Sequence, residues 1–242
     1  MPNKRISAYV RHMLDEENIA QRTPEWFAAR EKRLTASDAA AAIGKNEHCS
    51  PAALVRRKTQ PRTFFGNRAT LHGQKHEDEA IGLYERLTGN TVHACGLFVH
   101  RKYDWLGGSP DGIIDTPASL DTGGSPESVK LLEVKCPFYK DPQPECPSVY
   151  YPQIQVCLEI TGIHACDLVQ YVPETTFQAR RVLIITVPRA KAWFDQQLPI
   201  MQEWHRTLQA ARAKPLPLPQ PRATKQTKAK RYAPYAIVEP IA

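Results

Sequence analysis

No stretch of this sequence is apolar for long enough to cross a bilayer, which takes about 20 residues in a helix. A secretory leader is not expected either, because the opening residues, MPNKRISAYVRHMLDEEN, lack an apolar centre. Paired cysteines are missing. The six present (Cys49, Cys95, Cys136, Cys146, Cys157 and Cys166) form no Cys-x-x-Cys, and several lie in apolar runs such as Ala-Cys-Gly-Leu-Phe. That pattern suits reduced, partly buried thiols in a cytoplasm-like compartment rather than a disulfide framework, and it offers no clustered spacing for an iron–sulfur group. No internal repeat is evident. Acid is in deficit: 25 Asp and Glu stand against 32 Lys and Arg, giving a net charge of +7 and a pI near 9.1. An excess of this sign favours an anionic partner, with nucleic acid first, an acidic membrane surface second and plain solubility as the bland alternative.

What is there reads as one domain with an appended tail. Residues 1–22 are polar and allow a short helix or an arm. Thr23-Pro24-Glu25 predicts a helix start, with a capping threonine, proline at the first position and an acid in the first turn. Trp26, Phe27 and Ala29 are its expected apolar side. Leu34 to Asp38 leads into a four-alanine run and Gly44, a short packed helix with a glycine stop. Ser50-Pro51 repeats the start signature for Ala52 to Lys58. Residues 69–88 predict a long helix with a stripe of Leu71, Ala80, Ile81, Tyr84 and Leu87, closed by Gly89. His72 and His76 on it are expected to be solvated, and no third ligand suggests zinc.

Val92 to His100 predicts a strand, Trp105 to Asp115 a hairpin-like pair, and the polar, Gly-rich residues after it a loop. Leu131 to Lys135 predicts another strand. The proline-rich segment Cys136 to Pro147 is a loop. Residues 148–160 predict a helix ended by Gly162, Asp167–Val172 and Val182–Val187 two antiparallel strands, and Ala190–Ala213 a helix interrupted at Pro199. The domain is thus expected over residues 1–213. Residues 214–242, with Pro-Leu-Pro-Leu-Pro-Gln-Pro and Lys225, Lys228, Lys230 and Arg231, form a basic Pro-rich tail that cannot bury a core.

The chemistry concentrates between Trp105 and Pro137. Asp111 sits in a Ser-Pro-Asp-Gly turn, and Glu133 follows twenty-two residues later on a strand where Glu133 and Lys135 share a face while Leu132 and Val134 take the other. Singly these are a common turn and a solvated strand face. Together, on neighbouring strands, the two acids reach one sheet end. Two carboxylates beside a lysine can hold a hard divalent cation next to a phosphate.

Pro110-Asp111 and Glu133-Val134-Lys135 resemble the PD-(D/E)xK nuclease superfamily. Trp26-x-x-x-Arg30 followed by Thr35-Ala36-Ser37 is similar to the opening of its lambda-exonuclease and YqaJ-like branch, as is Gly73-x-x-x-Glu77-x-x-Ala80. On local sequence alone Arg30 is a surface arginine, Ser37 a helix-capping serine, Glu77 one more exposed acid and Gln153 a helix-surface amide. The resemblance, which covers about Trp26 to Val187, implies more. It implies an α/β fold with a mixed central sheet flanked by helices, as in restriction endonucleases. It implies that Asp111, Glu133 and the Val134 carbonyl bind Mg²⁺, with Mn²⁺ as substitute, that Glu77 stands nearby, and that Lys135 and Gln153 serve the attacking water. Arg30 and Ser37 would bind a DNA 5′-phosphate. A further acid that family members carry before the turn has Asp104 as its counterpart here, with spacing that aligns poorly, and Asp115 is another nearby acid. The implied activity is 5′→3′ resection of linear double-stranded DNA ends for recombination, alongside a single-strand annealing protein and within a homo-oligomeric ring, a trimer. An endodeoxyribonuclease on the same core, and an inert DNA-binding protein, stand as alternatives.

Overall fold

A computed structural model describes residues 4–16, 19–60, 68–137, 141–176 and 179–213; the tail expected at 214–242 lies outside the described residues. The polar N-terminal stretch contains helix α1 (Ala8–Glu16). In α2 (Pro24–Glu31) the Thr23 hydroxyl accepts the Trp26 N–H at 3.2 Å, satisfying one of the amides that a helix start leaves open. Trp26 is buried, but Phe27 is 42% exposed, so the apolar side is narrower than the sequence suggests. A two-residue strand β1 (Leu34–Thr35) runs through a single 3-10 turn (Ala36–Asp38) into α3 (Ala39–Ala42), whose four alanines are all buried. Gly44, at φ +73°, ends it. Ser50 caps α4 (Pro51–Thr59), and the long helix α5 spans Arg68–Thr88. In α5, Ala80 and Tyr84 are fully buried, whereas Leu71 and Leu87 are 55% and 58% exposed. His72 and His76 are not solvated as expected: both are half-buried, their ring centroids 4.7 Å apart.

The strand expected over Val92–His100 divides into β2 (Thr91–His93) and β3 (Phe98–Val99), which belong to different sheets. Gly96 lies at the break. A Cβ there would stand 2.4 Å from the Ile19 carbonyl oxygen, so the chain crosses Ile19 where only glycine fits. The expected 105–115 hairpin is likewise two strands that do not pair with each other, β4 (Leu106–Gly108) and β5 (Gly112–Asp115). Pro110 between them has no N–H to continue a ladder, and the chain changes sheet there. The Gly-rich loop that follows contains a helix, α6 (Pro117–Thr122). Thr116 accepts the Ser119 N–H, and Gly123 stops the helix at φ +86°. Strand β6 (Lys130–Lys135), helix α7 (Tyr151–Thr161), and strands β7 (Ala165–Val172) and β8 (Arg181–Pro188) fall where expected. Helix α8 (Lys191–Arg212) runs through Pro199 without interruption, with Phe194, Met201, Trp204 and Leu208 buried on one side. Packing of that side overrides the cost of a mid-helix proline.

Strands β2-β5-β6-β7-β8 make the central sheet, antiparallel except for the parallel pair β6–β7 that α7 connects, while β1-β4-β3 form a second, small sheet. Alternation along β6 sorts its side chains. Leu132 and Val134 face a cluster with Ala80 and Tyr84 of α5, and Leu131 faces the larger core with Ile154 and Leu158 of α7. Glu133 therefore enters from the α7 side, at the end of the sheet where β5 begins.

Candidate active site

Asp111 is placed by the ladder's edge. Its N–H donates to the Leu132 carbonyl at 3.1 Å, and its carboxylate Oδ2 accepts the Val134 N–H at 2.7 Å. The side chain thus takes the place of the next β5 residue, and the β5–β6 pairing stops at the Gly112–Leu132 register. Behind the turn, Gln21 Nε2 donates to the Pro110 carbonyl at 2.8 Å and to the Cys95 carbonyl at 3.0 Å. Gly112 fits only as glycine, since a Cβ would lie 2.6 Å from Val92 Cγ1.

Glu133 is 2% exposed and its Oε1 collects two donors, the Lys135 ammonium and, at 2.5 Å, Gln153 Nε2 from the first turn of α7. Lys135 also reaches Gln153 Oε1 at 3.3 Å, closing a ring of three side chains, and lies 5.3 Å from the Tyr150 ring. Burial pushes the Glu133 carboxyl up, and the neighbouring Asp111 and Glu77 charges push the same way against Lys135. Burial also raises Asp111, opposed by Lys135 and by the Val134 N–H. For Lys135 burial acts downward, but the Glu133 and Asp111 carboxylates more than offset it and the ammonium is favoured.

Glu77, on α5, faces the same cleft. Burial and Asp111 raise its carboxyl, while Arg22 pulls it down through a 2.7 Å ion pair. Among the described residues no three His, Cys, Asp or Glu side chains converge into a ready-made metal cage. The oxygen donors in the cleft that could hold an ion are instead the Asp111 and Glu133 carboxylates and the Val134 backbone, with Glu77 beside them. Such a set suits Mg²⁺, which keeps several waters and needs only one or two carboxylates together with substrate phosphate.

The second group expected at the site comes from α2 and the turn after β1. Arg30 Nη2 donates to Ser37 Oγ at 3.0 Å, and its guanidinium lies 4.1 Å from the Trp26 ring. The Trp26 indole N–H donates to Ser109 Oγ at 2.9 Å, which ties this arm to the Asp111 turn. Behind Ser37, Asp38 pairs with Arg57 and, at 3.0 Å, with Lys58, and accepts the Thr35 hydroxyl. Burial would raise Asp38, but these two cations hold it below the usual range. All eight expected residues (Arg30, Ser37, Glu77, Asp111, Glu133, Val134, Lys135 and Gln153) line one open cleft of about 860 Å³.

Two of the other acids weighed do not belong to the site. Asp104 is not among the lining residues. Asp115 is fully buried at the far end of β5, bonded to the Ser7 N–H and the Ser119 hydroxyl. Sequence reasoning missed Arg22 and Tyr150, for which no periodicity or spacing gave a signal. It also missed the Asp38 pairs, whose one hint was the acid directly after Thr-Ala-Ser.

The chain is similar to several known proteins. Residues 25–164 match the model of the YqaJ-like viral recombinase domain. An uncharacterized protein, R354, of Acanthamoeba polyphaga mimivirus is 29% identical over 159 residues, which are 62% of this chain and 29% of that protein. The chain therefore spans under a third of that relative's length. Among solved structures, the alkaline exonuclease LHK-Exo from Laribacter hongkongensis superposes with a TM-score of 0.59 at 26% identity, covering 78% of this chain and 93% of that one. Its complex with dAMP gives 0.60 at the same identity and coverage. The sheet order, the helices on both faces and these matches identify a restriction-endonuclease-like fold, and the chain belongs to the YqaJ-like viral recombinase domain family.

Proposed function

We propose that this chain is a Mg²⁺-dependent 5′→3′ exodeoxyribonuclease that resects linear double-stranded DNA ends for recombination. The observation that carries the reading is one cleft holding both the Asp111–Glu133–Lys135–Gln153 group and the Arg30–Ser37 pair. Asp111, Glu133 and the Val134 carbonyl would hold the ion, for which Mn²⁺ is the natural substitute. When bound, it supplies a Lewis acid for the phosphate and lowers the pKa of a bound water.

The protein's own groups do the rest. Gln153 offers a neutral amide that orients the water without adding charge to a cleft already crowded with carboxylates. Lys135, kept as an ammonium by Glu133 and Asp111, donates to the water or to the developing charge on the phosphate oxygens. Attack forms a water oxygen–phosphorus bond and breaks the bond from phosphorus to the 3′ oxygen of the terminal nucleotide, which takes up a proton. The shortened strand again begins with a 5′-phosphate. A fork-shaped guanidinium with a hydroxyl beside it suits that phosphate dianion, so each cycle recreates the end that Arg30 and Ser37 select. The exposed 3′ strand is what a single-strand annealing partner would take up, and a trimeric ring would keep the duplex from leaving between cycles.

End-labelled duplexes test the direction. Arg30→Ala should slow digestion of 5′-phosphorylated ends by about one to two decades, the worth of a hydrogen bond to a charged group, and 5′-hydroxyl ends much less. Equal slowing on both substrates would refute the end-phosphate role. Sedimentation of the protein as a monomer, with and without DNA, would refute the ring.

A further inference from the structure

Among the described residues Arg22 is the single non-glycine with positive φ, at 66°. This left-handed conformation is one that glycine or asparagine adopts at much lower cost than a side chain branching into a long cation. The segment holds it there from both sides. Gln21 is bonded to the Pro110 and Cys95 carbonyls. The Thr23 hydroxyl donates to the Ala20 carbonyl at 3.0 Å while also capping α2. The result is a guanidinium that lines the cleft, 2.7 Å from Glu77, with half of its side chain (52%) still open to solvent. A surface ion pair alone contributes too little to explain a strained arginine. A cation carried on the Pro110–Asp111 turn side of a cleft for a polyanion has a better use.

We propose that Arg22 is a substrate-contacting residue that binds a DNA backbone phosphate at the carboxylate end of the cleft, while its ion pair with Glu77 aims the guanidinium. This rests on the nuclease reading of the cleft. Glu77 occupies one N–H, and a guanidinium has five, so the same side chain bridges a carboxylate and a phosphate oxygen. The contact is separate from the terminal phosphate's, because Arg30 is held by Ser37 and Trp26 whereas Arg22 is held by Glu77. It should therefore matter equally for 5′-phosphate and 5′-hydroxyl ends.

The test is binding of a fluorescent duplex with a 5′-hydroxyl end, in Ca²⁺ to suppress cleavage, across a series of salt concentrations, for wild type, Arg22→Gly and Arg22→Lys. Glycine removes the charge and relieves the backbone. Arg22→Gly should weaken binding about tenfold or more and lower the slope of log K against log salt by about 0.9, one phosphate contact. Its melting temperature should stay level or rise. Arg22→Lys should keep the slope and recover part of the affinity. Unchanged affinity and slope in Arg22→Gly, with wild type binding normally, would overturn the inference and leave the nuclease reading standing. A fall in melting temperature with an unchanged slope would mark a structural ion pair and also overturn it. Failure of the wild type to bind duplex at all would instead defeat the reading on which it rests.

Discussion

Replacing Gly112 by alanine is a severe and specific perturbation of the site, although the residue carries no chemistry. The added Cβ would lie 2.6 Å from Val92 Cγ1 and 3.3 Å from the His93 carbonyl oxygen. Carbon atoms pack comfortably at about 3.5–4.0 Å, so β5 must back away from β2 by roughly 1 Å or Val92 must leave its rotamer. Val92 is 5% exposed inside the α5 cluster and has little room to turn. Overpacking of this kind costs about 1–3 kcal/mol, and in a domain of this size each kcal/mol lowers the melting temperature by roughly 2–4 °C.

The functional effect should exceed the thermal one. Asp111 is the adjacent residue, and its 2.7 Å bond to the Val134 N–H depends on the β5–β6 register. If Asp111 holds the ion as proposed, a displacement near 1 Å costs on the order of a hundredfold in rate. Gly112→Ala should therefore remain folded by circular dichroism, melt several degrees lower, and digest linear duplex about a hundredfold more slowly. Gly82→Ala is the comparison. That glycine lies inside α5 with Arg86 Nη1 at an ordinary 3.5 Å from a built Cβ, so alanine should stabilise by roughly 0.5–1 kcal/mol. Wild-type stability and rate in Gly112→Ala would refute the claim that this close approach sets the position of Asp111.

Lys135→Ala should abolish turnover yet leave divalent-ion binding, followed by calorimetry, within a few-fold of wild type, because the ammonium is not an ion ligand. The pH dependence of stability follows from the raised carboxyls. A carboxylate whose folded-state pKa is raised stabilises the fold fully below the ordinary carboxylate range, and that contribution disappears as pH rises through the folded-state value. Burial does this to Asp111, Glu133 and Glu77, so the metal-free protein should lose stability from mildly acidic to alkaline pH. Glu133→Gln should flatten that slope in thermal melts, and an unchanged slope would exclude Glu133 as a source.

Cap chemistry and periodicity carried most of the fold. Thr23-Pro24, Ser50-Pro51 and Thr116-Pro117 all start helices, although the third was obscured by the glycines around it. The failures were cases where partners distant in sequence decide. Gly96 and Pro110 send the chain from one sheet to the other, a choice fixed by Ile19 and by β1 rather than by local pattern. Pro199 sits in an unbroken helix because the core on one side of α8 holds it. Short motifs sufficed to bring Asp111, Glu133 and Lys135 of turn and strand into one cleft, where alternation determines facing. Arg22 and Tyr150 were illegible, since each reaches the cleft from a loop or a helix edge whose orientation only the folded chain defines.

The central claim is that one cleft both cuts and selects an end. It is tested most directly by incubating uniformly labelled plasmid, linear or covalently closed, with wild type and with Asp111→Asn in Mg²⁺, and following acid-soluble nucleotide. The account predicts release from the linear form alone by wild type, none on removal of the ion, and none by Asp111→Asn. Nicking or release from the closed circle would contradict an exonuclease, and wild-type release by Asp111→Asn would contradict the site itself.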